Sequence, residues 1–548
     1  MAIKNSIKIE KLNLEGLLKF IEGHNVSIPE FQRGYVWEDK KIKNLFDSVV
    51  KKYPIGSFII WKTRQKIGQR VLFGKQPNKG KEKYLVLDGQ QRMLTLYYLC
   101  NQNKFLDVKN FFQEIYESKG RDLIEFEHFY FDKKIHPELK YSIEKVQKFD
   151  FEEFKKKVGK KYLFPIVIVS IDKYDKAIEI FERINQAGAK IATESIFLSE
   201  AWNKKTNLGQ ILRRWRNKNK LSGNLDSIIF IHVLAMITQL EKIAGFESRS
   251  LDIRLATLKK IAEKIKEARS KVFEKEFRKI LNAVSMATSF FAKEYGIRKI
   301  IELPSQTLVT MLGIFYYYCS DPTKKQVKEL KKWFWRSALS GRYVGSGYND
   351  NISNDAECMK RLAKAGARLN IEKADLSFED FKDSDIKTGR SSLGNAIKLM
   401  LWKHKPQWIN GEKINRWEIE SEKKKKEDDH FYPYDLFRKK VIGNEINSIL
   451  NLSFLSKGEN LIKTNDLPFL WLERRKKEVG SKKREEKLFF ISNLLPFGSI
   501  RDLRNSESTL LTKSDKIKPN IFRKYYRKFL KRRFELFKKE LNRLQSGK

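Results

Sequence analysis

The sequence predicts an α/β N-terminal domain, a mostly α-helical middle, and a second, smaller strand-and-helix unit near the C-terminus in a helical setting. Three observations lead there. Apolar runs of strand length at 57–61, 84–87 and 164–171 alternate with helical periodicities before about residue 220. From 221 to 400 the apolar spacing is helical almost throughout. Between 401 and 500 the chain concentrates Asp, His and Asn around one strand-like stretch. The segments are therefore 1–220, 221–400, 401–500 and a basic helical tail at 501–548, a division in keeping with 548 residues.

In the first segment, Pro29 sets an extended entry to an aromatic-rich stretch around Gln32 and Arg33. A helix over 38–52 follows, marked by Ile42, Leu45, Phe46, Val49 and Val50, and is broken at Tyr53-Pro54-Ile55-Gly56. After the strand at 84–87 come Asp88, Gly89, Gln90, Gln91 and Arg92, and a helix is expected from Met93. The end of a strand leading into a helix is where α/β domains bind ligands, because loop and first-turn N–H groups point outward there. Asp88 suits a metal or a helix cap, and Arg92 suits a phosphate. The same five residues also read as a capped turn with an arginine in solvent or in a structural ion pair. Further on, Asn185 and Gly188 read as a helix C-terminus and its turn, and Thr193 as the cap of the next helix. No Walker A loop is present.

In the middle segment, helices are expected over 226–243, 250–287, 306–319 and 326–337, with a Gly/Asn/Ser-rich loop at 343–354. Lys331-Lys332-Trp333-Phe334-Trp335-Arg336 suits either base stacking or a helix with buried aromatics and solvated charges. The uncharged run 303–320 reads as a buried helix rather than a membrane span.

Glu427-Asp428-Asp429-His430 is the most chemical stretch, and His430 is one of only six histidines. A strand carrying Asp-His, a loop carrying Asn451, and a short helix carrying Asn460 form a ββα-metal layout. Phosphodiester hydrolysis needs a base that titrates near the working pH and a hard cation to stabilise charge on the phosphate. Carboxylate and amide-type oxygens suit Mg²⁺. The alternative is an exposed acidic turn followed by an Asn-rich loop. Which of Asp428 and Asp429 meets the metal stays open.

The formal charge of +44 favours a polyanion, nucleic acid first, although free use of Lys throughout the chain supplies part of it. Charge does not separate DNA from RNA. Three distant cysteines and no C-x-x-C pair indicate neither a disulfide framework nor a zinc ribbon, and the first twelve residues lack the apolar core of a signal peptide. A cytoplasmic protein with no membrane partner is expected. Residues 522–548 carry eleven Lys or Arg against two Glu on an amphipathic helical pattern, which suits packing of one face and phosphate contact by the other.

Three ordered motifs carry a family resemblance. I-P-E-F-Q-R-G-Y-V-W at 28–37, L-D-G-Q-Q-R at 87–92 and F-E-R-I-N-Q-A-G-A-K-I at 181–191 resemble the N-terminal domain of GmrSD-type modification-dependent restriction enzymes, which is similar to ParB and sulfiredoxin. The resemblance spans about 8–220. It implies nucleoside triphosphate binding and hydrolysis at Gln32, Arg33, Asp88, Gly89, Gln90, Gln91 and Arg92, with support from Tyr35, Trp37, Asn185 and Gly188. D-H-x-x-P, N-S-I-L-N-L and E-N-x-x-K-T-N resemble the C-terminal HNH nuclease domain of the same family over about 401–480. This implies His430 as general base, Asn451 as the middle Asn of the motif, and Asp429 and Asn460 as ligands of Mg²⁺ or Mn²⁺. Phe431-Tyr432 departs from the aliphatic residue that usually follows the His. The function implied is a nucleotide-regulated, metal-dependent DNA endonuclease acting on phage or modified DNA in anti-phage defence. With one HNH site per chain, a double-strand cut favours a homodimer or sequential nicks. The alternative is a ParB-like, nucleotide-dependent DNA-binding regulator with an inactive HNH domain, and a third option is an RNA-directed nuclease.

Overall fold

The fold comes from a computed structural model. It describes residues 6–29, 51–65, 69–71, 82–100, 161–184, 193–202, 207–219, 225–384, 392–414, 426–456, 465–511 and 517–547, except 217, 249, 269–270, 298, 345–346 and 439–441. A few single residues elsewhere are also described, among them Gln32, Trp37, Leu45, Val49, Val158, Asn460 and Lys463. The chain divides into two compact units, residues 1–282 and 283–548.

The first unit is built on a six-stranded sheet in the order β1-β6-β3-β5-β2-β4. Its strands are β1 (Ser6–Leu12), β2 (Ser27–Pro29), β3 (Phe58–Thr63), β4 (Gln69–Val71), β5 (Lys83–Asp88) and β6 (Phe164–Ser170). β6 runs parallel to β3, and β5 parallel to β2, while the other neighbours are antiparallel. β5 is apolar without alternation because both faces of the sheet are covered. Val86 joins one core, with Leu17, Phe58, Met93 and Phe164. Leu85 and Leu87 join the opposite one, with Trp61, Val169 and Ala177. Helix α1 (Leu14–Gly23) is capped by the Asn13 side chain, which accepts from the Gly16 N–H.

Helix α2 (Gln90–Cys100) starts earlier than its apolar pattern suggests. Its first bond runs from the Met93 N–H to the Gly89 carbonyl at 2.8 Å, so Gln90, Gln91 and Arg92 already form the first turn. Helices α3 (Tyr174–Ile184), α4 (Thr193–Glu200), α5 (Leu208–Arg216), α6 (Ser227–Leu240) and α7 (Leu255–Glu267) follow, then α8 (Val272–Tyr295), within which the division between units falls. The helical pattern at 250–287 is thus two helices, α7 and part of α8.

The second unit is helical around one hairpin. Helices α9 (Thr307–Tyr318) and α10 (Lys324–Leu339) match expectation, and Trp333, Phe334 and Trp335 are all buried, so they do not form a stacking platform. The expected loop at 343–354 is corrected from residue 348 onward. Helix α11 (Tyr348–Ala365) starts there because Ile352, Ala356, Met359 and Leu362 recur on one buried face, and Asp355 accepts a forked ion pair from Arg342 at 2.7 and 2.8 Å. After α12 (Phe378–Lys382) and α13 (Ser392–Lys403) comes the hairpin of β7 (Lys426–His430) and β8 (Leu452–Ser456), with short α14 (Asp435–Arg438) between its strands. Helices α15 (Pro468–Val479), α16 (Lys483–Ser492), α17 (Ile500–Glu507) and α18 (Pro519–Gln545) complete the unit. Among the described residues no helix is long and apolar enough to cross a membrane.

Candidate active site

Two clusters combine a carboxylate, a cation and a chain reversal, one in each unit. In the first, β5 ends at Asp88 and the chain turns through Gly89 at φ +83°. A side chain at Gly89 would meet the Phe58 ring at 2.6 Å, so glycine is required both by conformation and by space. One turn into α2, Arg92 pairs with Asp88 at 2.9 Å. It also donates to the carbonyls of Ile55 and Ser57 and lies 5.6 Å from the Phe58 ring centre. Arg92 therefore fastens the 55–57 bend to the strand end and the helix start. Gln32 is buried and donates from Nε2 to the Val86 carbonyl and, at 2.8 Å, to that of Leu87. It holds the last residues of β5 from the other side. Gln90 is buried and Gln91 half-buried in the first turn of α2. Trp37 packs at the edge of the same core. Arg33, Tyr35, Asn185 and Gly188 lie outside the described residues.

In the second cluster, register places Asp429 opposite Ser453 and His430 opposite Leu452. The His430 ring is buried, and its two nitrogens face different groups. Nε2 meets Asn447 Oδ1 at 2.9 Å, while Nδ1 lies 3.5 Å from Asp429 Oδ1. The ring thus sits between an amide and a carboxylate, Nε2 facing Asn447 and Nδ1 facing Asp429.

The other Asp429 oxygen accepts from Lys463 Nζ at 2.6 Å, and that ammonium also donates to the His430 carbonyl. Burial opposes the charge on Asp429. The hydrogen bond from His430 and the field of Lys463 outweigh it and hold the carboxyl well below its usual range. Lys463 is only 2% exposed, and desolvation pulls it down despite Asp429. Asn460 sits one helical turn before Lys463 in the same short segment and is half-buried. Asp428 faces elsewhere and pairs with Lys398 at 2.9 Å, so Asp429 is the carboxylate beside His430.

Asn451 is fully buried and works on backbone. It accepts from the Tyr432 N–H at 2.9 Å and donates to the carbonyls of Tyr432 and Ile446, while its own carbonyl takes the Phe431 N–H at 2.7 Å. It fixes the exit of β7 and so the direction of His430, acting as a positioning residue. Sequence reasoning missed the ring partner Asn447 and the cation Lys463. A signal for Lys463 existed: it follows Asn460 by three positions, which puts both on one face of a helical turn.

The aromatic pair after His430 is explained by α18. The Phe431 ring stacks on Phe497 and Phe529, and Tyr432 meets Phe522, Tyr526 and Phe529. The Tyr432 hydroxyl donates to Glu507, whose carboxyl is pushed up to about 8 by burial although Tyr432 and the Phe469 N–H favour its charged form. Arg533 of α18 is also buried, with Nη1 donating to the Leu450 carbonyl at 2.7 Å and Nη2 to that of Asn493 at 3.1 Å. Desolvation lowers it to about 9. The basic helix thus supplies one wall of the hairpin's core.

Comparison with known proteins bears on the first unit. Residues 14–202 match the family described as GmrSD restriction endonuclease, N-terminal domain. This supports a GmrSD-type assignment for that region and points to a restriction-type nuclease with DNA as partner. The GmrSD match takes in β2 to β6 and the Asp88–Arg92 turn, while the His430 cluster lies outside it. An uncharacterized protein of Methanocaldococcus jannaschii is 24% identical, with 80% of this chain and 82% of that protein aligned.

Proposed function

We propose that the protein is a nucleotide-regulated, metal-dependent DNA endonuclease of the restriction type, with His430 as the base that activates water. The observation that carries this reading is the setting of His430. Its buried ring faces the Asn447 amide through Nε2 and a deprotonated carboxylate, Asp429, through Nδ1. A water held between the imidazole and a phosphodiester would lose its proton to the ring as it attacks phosphorus.

The donors are oxygens, the type a hard divalent cation prefers, and among the described residues no three His, Cys, Asp or Glu side chains converge to hold one by themselves. Lys463 shows that a positive charge is held between the Asp429 carboxylate and the His430 carbonyl, and both are oxygen donors. Asp429 and Asn460 would hold Mg²⁺ or Mn²⁺, with Lys463 giving up its place on Asp429. When bound, such an ion stabilises the negative charge that develops on the phosphate and the leaving oxygen. Asn451 keeps the backbone at 431–432 fixed, so the imidazole does not have to be oriented during the reaction.

The Asp88–Arg92 turn is the proposed nucleotide-responsive element. The early start of α2 supports this, because it directs the N–H groups of its first turn toward the strand end. A triphosphate there would compete with Asp88 and the carbonyls of Ile55 and Ser57 for Arg92, coupling ligand binding to the 55–57 bend. The test is a nuclease assay on modified and unmodified DNA with Mg²⁺ or Mn²⁺, with and without each common triphosphate. Divalent-ion-dependent nicking or cutting that responds to one triphosphate is expected. Absence of cleavage under every condition, with DNA still bound, would instead favour a DNA-binding regulator.

A further inference from the structure

The residue that holds His430 Nε2 also lines a cavity. Asn447 lies on a single helical turn (Asn444–Asn447), and this turn forms part of the wall of an open cavity of about 890 Å³. The start of α18 also lines it, with Arg523, Lys524 and Arg527, as does Lys382 of α12. Four cations thus surround the space against two carboxylates, Asp383 and Glu445. Arg527 pairs with Glu445 at 2.9 and 3.1 Å, but its side chain is 67% exposed, so the pair is readily exchanged for a phosphate. The cations continue along the exposed side of α18 through Lys528, Lys531 and Arg532.

The rest of α18 is committed to the interior. Phe522, Tyr526 and Phe529 are buried against Tyr432, and the Tyr526 hydroxyl donates to the Glu445 carbonyl at 3.0 Å. The helix therefore cannot roll to hide its basic stripe without dismantling the hairpin core. The first cations of the stripe and Asn447, the partner of the His430 ring, line the same cavity.

We infer that this cavity and the basic stripe of α18 form the track for the phosphodiester backbone of duplex DNA flanking the cleavage point. The inference rests on the nuclease reading for the role of His430. The cavity lies on the Nε2 side of the ring, away from Asp429, so it takes neighbouring phosphates and not the one being cut. Such contacts position the duplex and carry no base readout.

The test uses the full chain with a short labelled duplex in EDTA, where binding is read by fluorescence anisotropy over a salt series. The triple variant Arg523→Gln, Lys524→Gln, Arg527→Gln is compared with Lys324→Gln, Lys325→Gln, Lys328→Gln, which removes the same charge from α10. Each lost phosphate contact lowers the slope of log affinity against log salt by about 0.9, so the α18 triple is expected to lose roughly two to three units of slope and at least about tenfold in affinity at moderate salt. The α10 triple should stay close to the parent. Equal losses in both triples, no loss in either, or tighter binding of an RNA duplex by the parent would overturn the inference. If the α18 triple misfolds by circular dichroism, Lys524→Gln alone, expected to lose about one unit of slope, decides in its place. Cleavage with Mg²⁺ or Mn²⁺ is measured separately. A parent that cuts while the α18 triple binds normally defeats the track and leaves the nuclease standing. A parent that binds through α18 and never cuts does the reverse.

Discussion

The Asp88–Arg92 and Asp429–Lys463 pairs use the same ingredients and spend them differently. Arg92 is 18% exposed and Asp88 33%, and the remaining bonds of the guanidinium go to the carbonyls of Ile55 and Ser57. The Lys463 side chain is 3% exposed and that of Asp429 20%, and the ammonium bridges a carboxylate and a carbonyl beside an imidazole. Arginine is a planar fork that ties several acceptors together and never loses its charge. Lysine is a point charge on a flexible stem, and here it is buried at a desolvation cost. The first pair is therefore a brace that ties a strand end, a helix start and a bend together. The second is a buried ion pair beside an imidazole, at the place proposed above for the divalent cation.

The largest expected effect tests the chemistry of the second pair. His430→Ala should lower divalent-ion-dependent cleavage by about 10²–10⁴-fold in a nicking assay and leave DNA affinity unchanged. Cleavage at the parent rate would remove His430 from the mechanism. Next, Lys463→Met leaves the Asp429 charge buried without its partner. It should destabilise the ion-free protein by about 3–5 kcal/mol in thermal or denaturant unfolding. Mn²⁺ should then restore more stability to the variant than it adds to the parent. Loss without rescue would mean that Lys463 is structural and its place is not a cation site.

Arg92→Ala orphans two carbonyls and frees the 55–57 bend. A loss of about 2–3 kcal/mol is expected for the first unit, together with reduced nucleotide turnover. Turnover that falls with no change in unfolding would show that Arg92 serves the ligand alone and is not a brace. Taken per pH unit, the smallest effect concerns Glu507. Its carboxyl is raised to about 8 in the folded protein. The folded state therefore keeps a proton that the unfolded chain gives up above its ordinary carboxylate range, near pH 4.5. That contribution is fully present below the unfolded value and is lost as pH rises toward 8, at no more than about 1.4 kcal/mol per pH unit. Glu507→Gln should flatten this slope between roughly pH 5 and 8 in pH-dependent unfolding. An unchanged slope would assign it to other groups.

Much of this was legible in the chain. Three of the six strands, β3, β5 and β6, announce themselves as apolar runs because both faces of the sheet are covered there, and β5 ends where Asp88 begins the polar stretch. The charged, largely exposed β1 and the three-residue β2 and β4 do not. Four further things were not legible. The start of α2 was placed late, since Gln90, Gln91 and Arg92 carry no apolar period and only the bond to the Gly89 carbonyl defines the turn. Helix α11 hid behind Gly, Asn and Ser, whose turn preference was overridden by burial of Ile352 and Ala356. The roles of Asn447 and Asn451 could not be divided from spacing, because both are amides within four positions and only the folded loop decides which faces a ring and which faces backbone. Asp428 and Asp429 were likewise inseparable until β7 turned one toward Lys398 and the other toward His430.

Arg533 has a consequence for the order of events in the cell. It lies in α18 and holds the carbonyl of Leu450, beside the Asn451 that fixes His430. Translation delivers the hairpin first and this helix later, and domains fold as their parts emerge. A nascent chain that has reached His430 but not Arg533 has the β7–β8 hairpin without the wall that closes it. The His430 cluster is thus completed only after the sheet that carries the Asp88–Arg92 turn has had time to form.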